Sequence, residues 1–283
     1  MSEIVSQTVR IGMVRYINTA PIHCIWQERQ HPEGWLMIED HPAALCAKLG
    51  AGEIDLGFVS SYEYGIRPER YRILGDLSIS ANGPVGSVFL FSRMKPEKLG
   101  GQTVLLSAQS KTSVCLVRIV LERFFSIEPV YCCGDVADAL RLDAQGILAI
   151  GDDALRLKLE GSYQYCLDLG EAWQVHTGLP FVFAVCAVRE EFCRSQPDLM
   201  ARVQRELISC RDEGLRQLPR ICSLAAPRIP MAVDGCYSYL QAIQYDLDEK
   251  KRQALETFFR YLVEFNEASP TALPLKIVEP EQA

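Results

Sequence analysis

Short apolar runs alternate along this chain with segments whose apolar residues recur every three or four positions, which predicts strands and helices in turn. Residues 9–14, 35–38 and 54–60 read as strands. Between them, residues 20–29 read as a helix with Pro21 in its first turn, where a missing N–H costs nothing. Residues 41–50 read as a second helix, with Leu45 and Leu49 on one face. This βαβαβ order predicts a parallel sheet. Residues 71–79 and 87–92 add strands. The alternation then restarts, with strands at 103–107, 129–131, 146–150 and 180–188. Helices are expected at 112–125, with Leu116, Ile119, Val120 and Phe124 inward, and at 136–142. Beyond residue 188 only helices are expected. Ser195 and Asp198 have the spacing of a capping box ahead of 197–218. Leu255, Phe258, Phe259, Leu262 and Val263 make the apolar stripe of a last helix.

The pattern describes two α/β units, the second inserted between the first and a helical tail. Lobe one is expected at 1–93 with 187–283 and lobe two at 94–186, and strands near 87–93 and 181–188 would pass between them. A chain of 283 residues suits two such units. The arrangement resembles the type II periplasmic-binding-protein fold, in which a ligand sits in a cleft between two lobes.

Composition narrows the partners. The chain is 48% hydrophobic and 23% charged, with 29 basic against 36 acidic residues and a net charge of −7. Nucleic-acid binding, which wants clustered Lys and Arg, is not expected. The longest apolar run, 181–188, is far short of the ~20 residues that span a bilayer, so no membrane partner is expected. The opening MSEIVSQTVR carries an early acid and no long apolar core, unlike a secretory signal. A soluble, cytoplasmic protein is the expectation, with oligomeric state open and a homodimer as one option. The eleven cysteines show no C-x-x-C spacing, and Cys132 and Cys133 are adjacent. No zinc site is expected. Cys24, Cys46, Cys115 and Cys186 lie in apolar stretches and read as reduced, buried and structural. A catalytic thiol would want a histidine beside it, and no credible pair is expected.

Five segments together resemble the chorismate dehydratase family of the futalosine route to menaquinone. They are IGMVRYINTAPI (11–22), GEIDLGFVSSYEY (52–64), GPVGSVFLFSR (83–93), IGDDAL (150–155) and DLGEAWQVHTGLPFVFAV (168–185). The resemblance spans nearly the whole chain. Cys186 stands where the family more often has an aromatic residue, and Lys111 where it often has Arg. The resemblance implies a lyase that removes water from chorismate and needs no cofactor. Alternatives are a non-catalytic small-carboxylate-binding protein and the sister activity, 1,4-dihydroxy-6-naphthoate synthase.

Site residues follow from position and from that resemblance. Tyr16 and Asn18 follow the first strand, at the carboxyl end where parallel sheets bind ligands. Asn18 also suits a plain helix cap; the resemblance makes it a catalytic candidate, as a hydrogen-bond donor. Ser87, expected to open a strand between the lobes, is the second. Ser60 and Ser61 end the third strand and could donate to a carboxylate. Ser107, Ser110, Thr112 and Ser113 surround a helix start whose free N–H groups suit an anion. Asp153 could touch a ligand hydroxyl or cap the helix after it. His23, His31, His41 and His176 lie outside these motifs and read as non-catalytic, and Arg67 and Arg70 read as a solvated turn.

Overall fold

A computed structural model describes residues 8–14, 16–229 and 231–281. Residues 1–7, most of the segment read as lacking a secretory signal, lie outside the described residues. Strand β1 (Val9–Val14) is almost wholly buried, as a central strand covered on both faces must be. It leads through helix α1 (Ala20–Glu28), β2 (Trp35–Asp40) and α2 (Pro42–Ala51) to β3 (Leu56–Ser60). β1 pairs in parallel with both β2 and β3, as the βαβαβ pattern requires. Short helix α3 (Ser61–Ile66) and long strand β4 (Tyr71–Ala81) complete the first pass through this sheet.

The chain then builds a second sheet from β5 (Val88–Ser92), β6 (Thr103–Ser107), β7 (Val130–Gly134), β8 (Gly146–Ile150) and β9 (Tyr165–Asp168). Helices α4 (Lys111–Arg118) and α5 (Gly151–Glu160) connect its strands, and α6 (Leu169–Thr177) leads from β9 back towards the first sheet. β10 (Phe181–Arg189) returns to the first sheet and lies antiparallel between β3 and β4. Five helices follow: α7 (Glu190–Ser195), α8 (Pro197–Arg216), α9 (Leu218–Ala225), α10 (Val233–Ala242) and α11 (Glu249–Glu264). A two-residue β11 (Ile277–Val278) finishes the first sheet beside β4. The sheet orders are β11-β4-β10-β3-β1-β2 and β7-β6-β8-β5-β9.

Five expectations change. The strands near 87–93 and 181–188 do not run between lobes. β5 belongs wholly to the five-stranded sheet and β10 wholly to the six-stranded one, so sheet membership moves the passages to 82–87 and 178–180. Residues 136–142 form only a 3-10 turn at Val136–Asp138, with Leu140 80% exposed; so short a segment cannot hold a helix without a surface to bury against. The Ser195–Asp198 capping box is absent because Ser195 ends α7, and Pro197 opens α8 without a side-chain cap. The expected 112–125 helix is α4 continued by a π-helical turn, Ile119–Phe124, whose wider winding keeps Ile119 to Leu121 buried. The tail is not purely helical, since β11 and a bridge from Gln244 to Ser80 extend the first sheet.

Candidate active site

The carboxyl ends of β1 and β3 face the start of α4 and the end of β8 across a cleft, the place where open α/β sheets bind ligands. Asn18, Tyr16 and Ser60 line it from the six-stranded lobe, with Ile79 and Phe183. Ser87, Ser110, Ser113, Ile150 and Gly151 line it from the passage and the five-stranded lobe. No Asp, Glu, His, Lys or Arg is present among the described residues of this lining. Its polar groups are neutral hydroxyls and one amide.

Four candidates stand elsewhere. Ser61, fully buried, donates its hydroxyl to the Val182 carbonyl at 2.8 Å, because the chain turns into α3 and carries it away from the cleft. Ser107 and Asp153 line a second cavity on the five-stranded lobe, together with Asp135, Arg156 and Glu160. Asp153 pairs there with Arg156 at 3.0 Å, half exposed. Thr112 is fully buried and joins the lobes: its hydroxyl oxygen accepts the Tyr62 N–H at 2.9 Å and touches the Ser60 hydroxyl. The Thr112 N–H points to Ser60 Oγ at 3.3 Å, and the Ser113 N–H is capped by Ser110 Oγ at 3.3 Å. Two N–H groups expected to be free at this helix start are therefore engaged, and Ser110 and Ser113, whose hydroxyls meet each other at 3.2 Å, line the cavity instead.

The Asn18 loop is held from three sides. Thr19 donates its hydroxyl to the Val14 and Tyr16 carbonyls, both at 2.8 Å. Tyr245, from the chain after α10, donates to the Asn18 carbonyl at 2.8 Å. The Tyr16 hydroxyl reaches across the cleft to Gln109 Oε1 at 2.6 Å. Asn18 Oδ1, by contrast, is buried without a partner among the described residues. Expected as a donor, this side chain presents an unsatisfied acceptor, an arrangement that a ligand hydroxyl would complete.

Ser87 is held as firmly. Its carbonyl accepts the Gly151 N–H at 2.7 Å, and its hydroxyl oxygen receives a hydrogen bond from Tyr239 in α10 at 2.9 Å. Just ahead of it, Asp168 clamps the passage. Asp168 Oδ1 accepts the N–H groups of Val85 (3.0 Å), Gly170 (2.9 Å) and Glu171 (3.2 Å), and Oδ2 that of Gly86 (2.7 Å). One carboxylate thus caps α6 and ties the interlobe passage to it. Asp152 lies on the cleft side of Asp153, near the Ile17 N–H at 3.5 Å, and burial raises its carboxyl above the ordinary range. Sequence reading missed Asp168, Tyr239 and Tyr245 as site supports. Only Asp168 left a local signal, an Asp three positions before Glu171 at a helix start.

The histidines are otherwise occupied. His23 meets Glu39 at 2.8 Å, His31 the Trp26 carbonyl at 2.9 Å and His176 the Ala172 carbonyl at 2.8 Å, while His41 caps α2. Cys24 does follow His23 directly, but that ring serves Glu39, and burial pushes the Cys24 thiol up. Burial also raises Cys46 and Cys115 to about 12, so neither is a ready thiolate. Of the four cysteines expected to be buried, Cys115 and Cys186 are, whereas Cys24 and Cys46 are only half-buried. Arg67 is no free surface group: it pairs with buried Glu63 at 2.5 Å.

Two lobes, two sheets and a cleft at their strand ends define a periplasmic-binding-protein-like molecule. Solved structures share this fold. A protein from Archaeoglobus fulgidus matches with a TM-score of 0.75 at 16% identity, over 93% of this chain and 99% of that one. The periplasmic aliphatic sulphonate binding protein SsuA from Escherichia coli matches with a TM-score of 0.69 at 14% identity, over 98% and 93%. Residues 9–264 match the model of the menaquinone biosynthesis family, and the chain belongs to that family. A relative from Thermus thermophilus, a chorismate dehydratase, is 31% identical over 263 residues, 88% of this chain and 93% of its own. No helix among the described residues is long and apolar enough to cross a membrane.

Proposed function

We propose that this protein is a chorismate dehydratase, a hydro-lyase that converts chorismate to 3-[(1-carboxyvinyl)oxy]benzoate. The observation that carries the proposal is the convergence of Asn18 and Ser87 on one cavity walled by apolar and neutral polar groups. The proton leaves C3 and the hydroxyl leaves C4. C3–H is allylic to the diene that carries the ring carboxylate, so deprotonation sends negative charge towards that carboxylate. Hydroxyls at Ser60, Ser110 and Ser113 are suited to receive it, an oxyanion-type stabilisation of roughly 3 kcal/mol for a well-aimed donor.

In chorismate the 3-ether and the 4-hydroxyl are trans, so H3 and the leaving hydroxyl share a face. A concerted anti elimination is therefore closed, and stepwise loss through the carbanion is favoured. No carboxylate, imidazole, amine or guanidinium lines the cavity among its described residues, and burial raises the Tyr16 phenol, which supports a base supplied by the substrate. An oxygen of the enolpyruvyl carboxylate reaches H3 through a six-membered ring. Held in that pose, it takes the proton while the enzyme orients it and excludes water. Asn18 Oδ1 would accept from the C4 hydroxyl, and Ser87 would donate to that oxygen as the C–O bond breaks. Aromatisation drives the expulsion, and the departing hydroxide takes up the proton held by the enolpyruvyl carboxyl group and leaves as water.

The test is incubation with chorismate and mass analysis. A product one water lighter is expected. Binding without conversion would sink the proposal in favour of a non-catalytic carboxylate-binding protein, the role usual for this fold.

A further inference from the structure

Ser87 has one proton to give and a freely turning C–O bond with which to misplace it. Its oxygen meets the Tyr239 hydroxyl at 2.9 Å, and the tyrosine donates. The two residues are 152 positions apart, joined only by the docking of the helical tail under the passage between lobes. Tyr239 is 8% exposed and does not line the cavity. Its ring lies against the backbone at Gly86, which has φ +74°; a Cβ there would stand 3.3 Å from Tyr239 Cδ2. The backbone of Ser87 is pinned by Gly151, so rotation about its side-chain bonds is the freedom left.

We propose that Tyr239 is a positioning residue, which by donating to Ser87 Oγ turns the serine proton into the cleft and so sets the turnover rate without touching the ligand. A phenol is a better donor and a poorer acceptor than an alkyl alcohol, so the donation runs from tyrosine to serine. Burial, which raises the Tyr239 phenol above its ordinary range, keeps that proton in place. With one lone pair filled, the serine hydrogen points away from the ring. The incoming bond also polarises the serine, strengthening the one it gives to a departing oxygen.

This inference rests on the dehydratase reading, so its test measures the parent first and then Tyr239→Phe, Ser87→Ala and the double variant. Each is assayed for kcat and KM with chorismate and for binding of the aromatic product. Tyr239→Phe is expected to lower kcat about tenfold, the scale of one lost hydrogen bond, with KM and product affinity within about twofold. The double variant is expected to be no slower than Ser87→Ala, because the tyrosine acts only through that hydroxyl. A parent that binds chorismate without converting it would remove the dehydratase reading and this inference with it. With an active parent, three results overturn the inference alone. They are an unchanged kcat in Tyr239→Phe, a double variant slower than Ser87→Ala by the full Tyr239→Phe factor, or lost product binding, which would make the hydroxyl a folding element.

Discussion

Replacing Asp168 by Asn tests whether one carboxylate holds the interlobe passage in place. Oδ1 serves three N–H groups and Oδ2 serves Gly86 alone. The amide will therefore keep its oxygen on the Val85, Gly170 and Glu171 side and turn its NH₂ towards Gly86. Two donors then face each other where a 2.7 Å bond stood. The loss is one charge-assisted hydrogen bond plus an unsatisfied buried N–H, about 2–3 kcal/mol. For a chain of this size that is a fall in Tm of roughly 4–8 °C. Asp168→Ala should cost more, about 4–5 kcal/mol, since the α6 cap is lost as well. Because Gly86 adjoins Ser87, kcat with chorismate should fall in both variants while much of the product affinity remains. Thermal melts and steady-state kinetics read the two effects together. An Asp168→Asn protein that melts within about 1 °C of the parent with parental kcat would refute the clamp.

Four further expectations follow from the same geometry. Asn18→Ala and Ser87→Ala should each lower kcat on the order of 10²-fold with little change in KM, as steady-state kinetics would show; parental rates in both would remove them from the reaction. Thr112→Val keeps the shape but loses the links to Ser60 and the Tyr62 N–H. KM should rise about fivefold, and solution scattering with product should report a more open cleft, a lost bond being worth about 1 kcal/mol. Gly151→Ala places a Cβ at φ +56°, 3.0 Å from the Tyr16 ring, and should lower stability by about 1–2 kcal/mol in a thermal melt. Glu190 is held down to about 2 by its hydrogen bonds to Arg72, with Arg194 adding to them, against 4.5 in the open chain. The folded value lies below the unfolded one, so this contribution is complete above pH 4.5 and fades as pH falls towards 2. The Tm gap between the parent and Glu190→Gln should close over that window; a constant gap would contradict the assignment.

Local pattern carried the first lobe well. The buried runs of β1 and β3, the Pro21 helix start and the Leu45/Leu49 face were all readable, because burial and periodicity are written residue by residue. The five motif segments likewise pointed to the family. The choice among neighbouring hydroxyls was not readable. Ser60 faces the cavity and Ser61 the Val182 carbonyl because the chain leaves β3 for α3 between them, a direction that no local composition marks. Asp152 and Asp153 diverge in the same way, one buried near Ile17 and the other paired with Arg156 towards solvent.

Tertiary structure also decided what holds the candidate site residues. Ser60 meets Thr112 across 52 residues, Ser87 meets Tyr239 across 152, and Asn18 meets Tyr245 across 227. Each contact exists only because two sheets and a helical tail dock around one cleft. A tyrosine in an amphipathic tail helix carries the same local pattern whether its hydroxyl ends in solvent or beneath a serine. The sequence therefore determined most of the strands, the family and the strand-end loops that carry the candidate residues. Lobe docking decided which side chains enter the cleft and which hold them there, because those partners are neighbours in space and not along the chain.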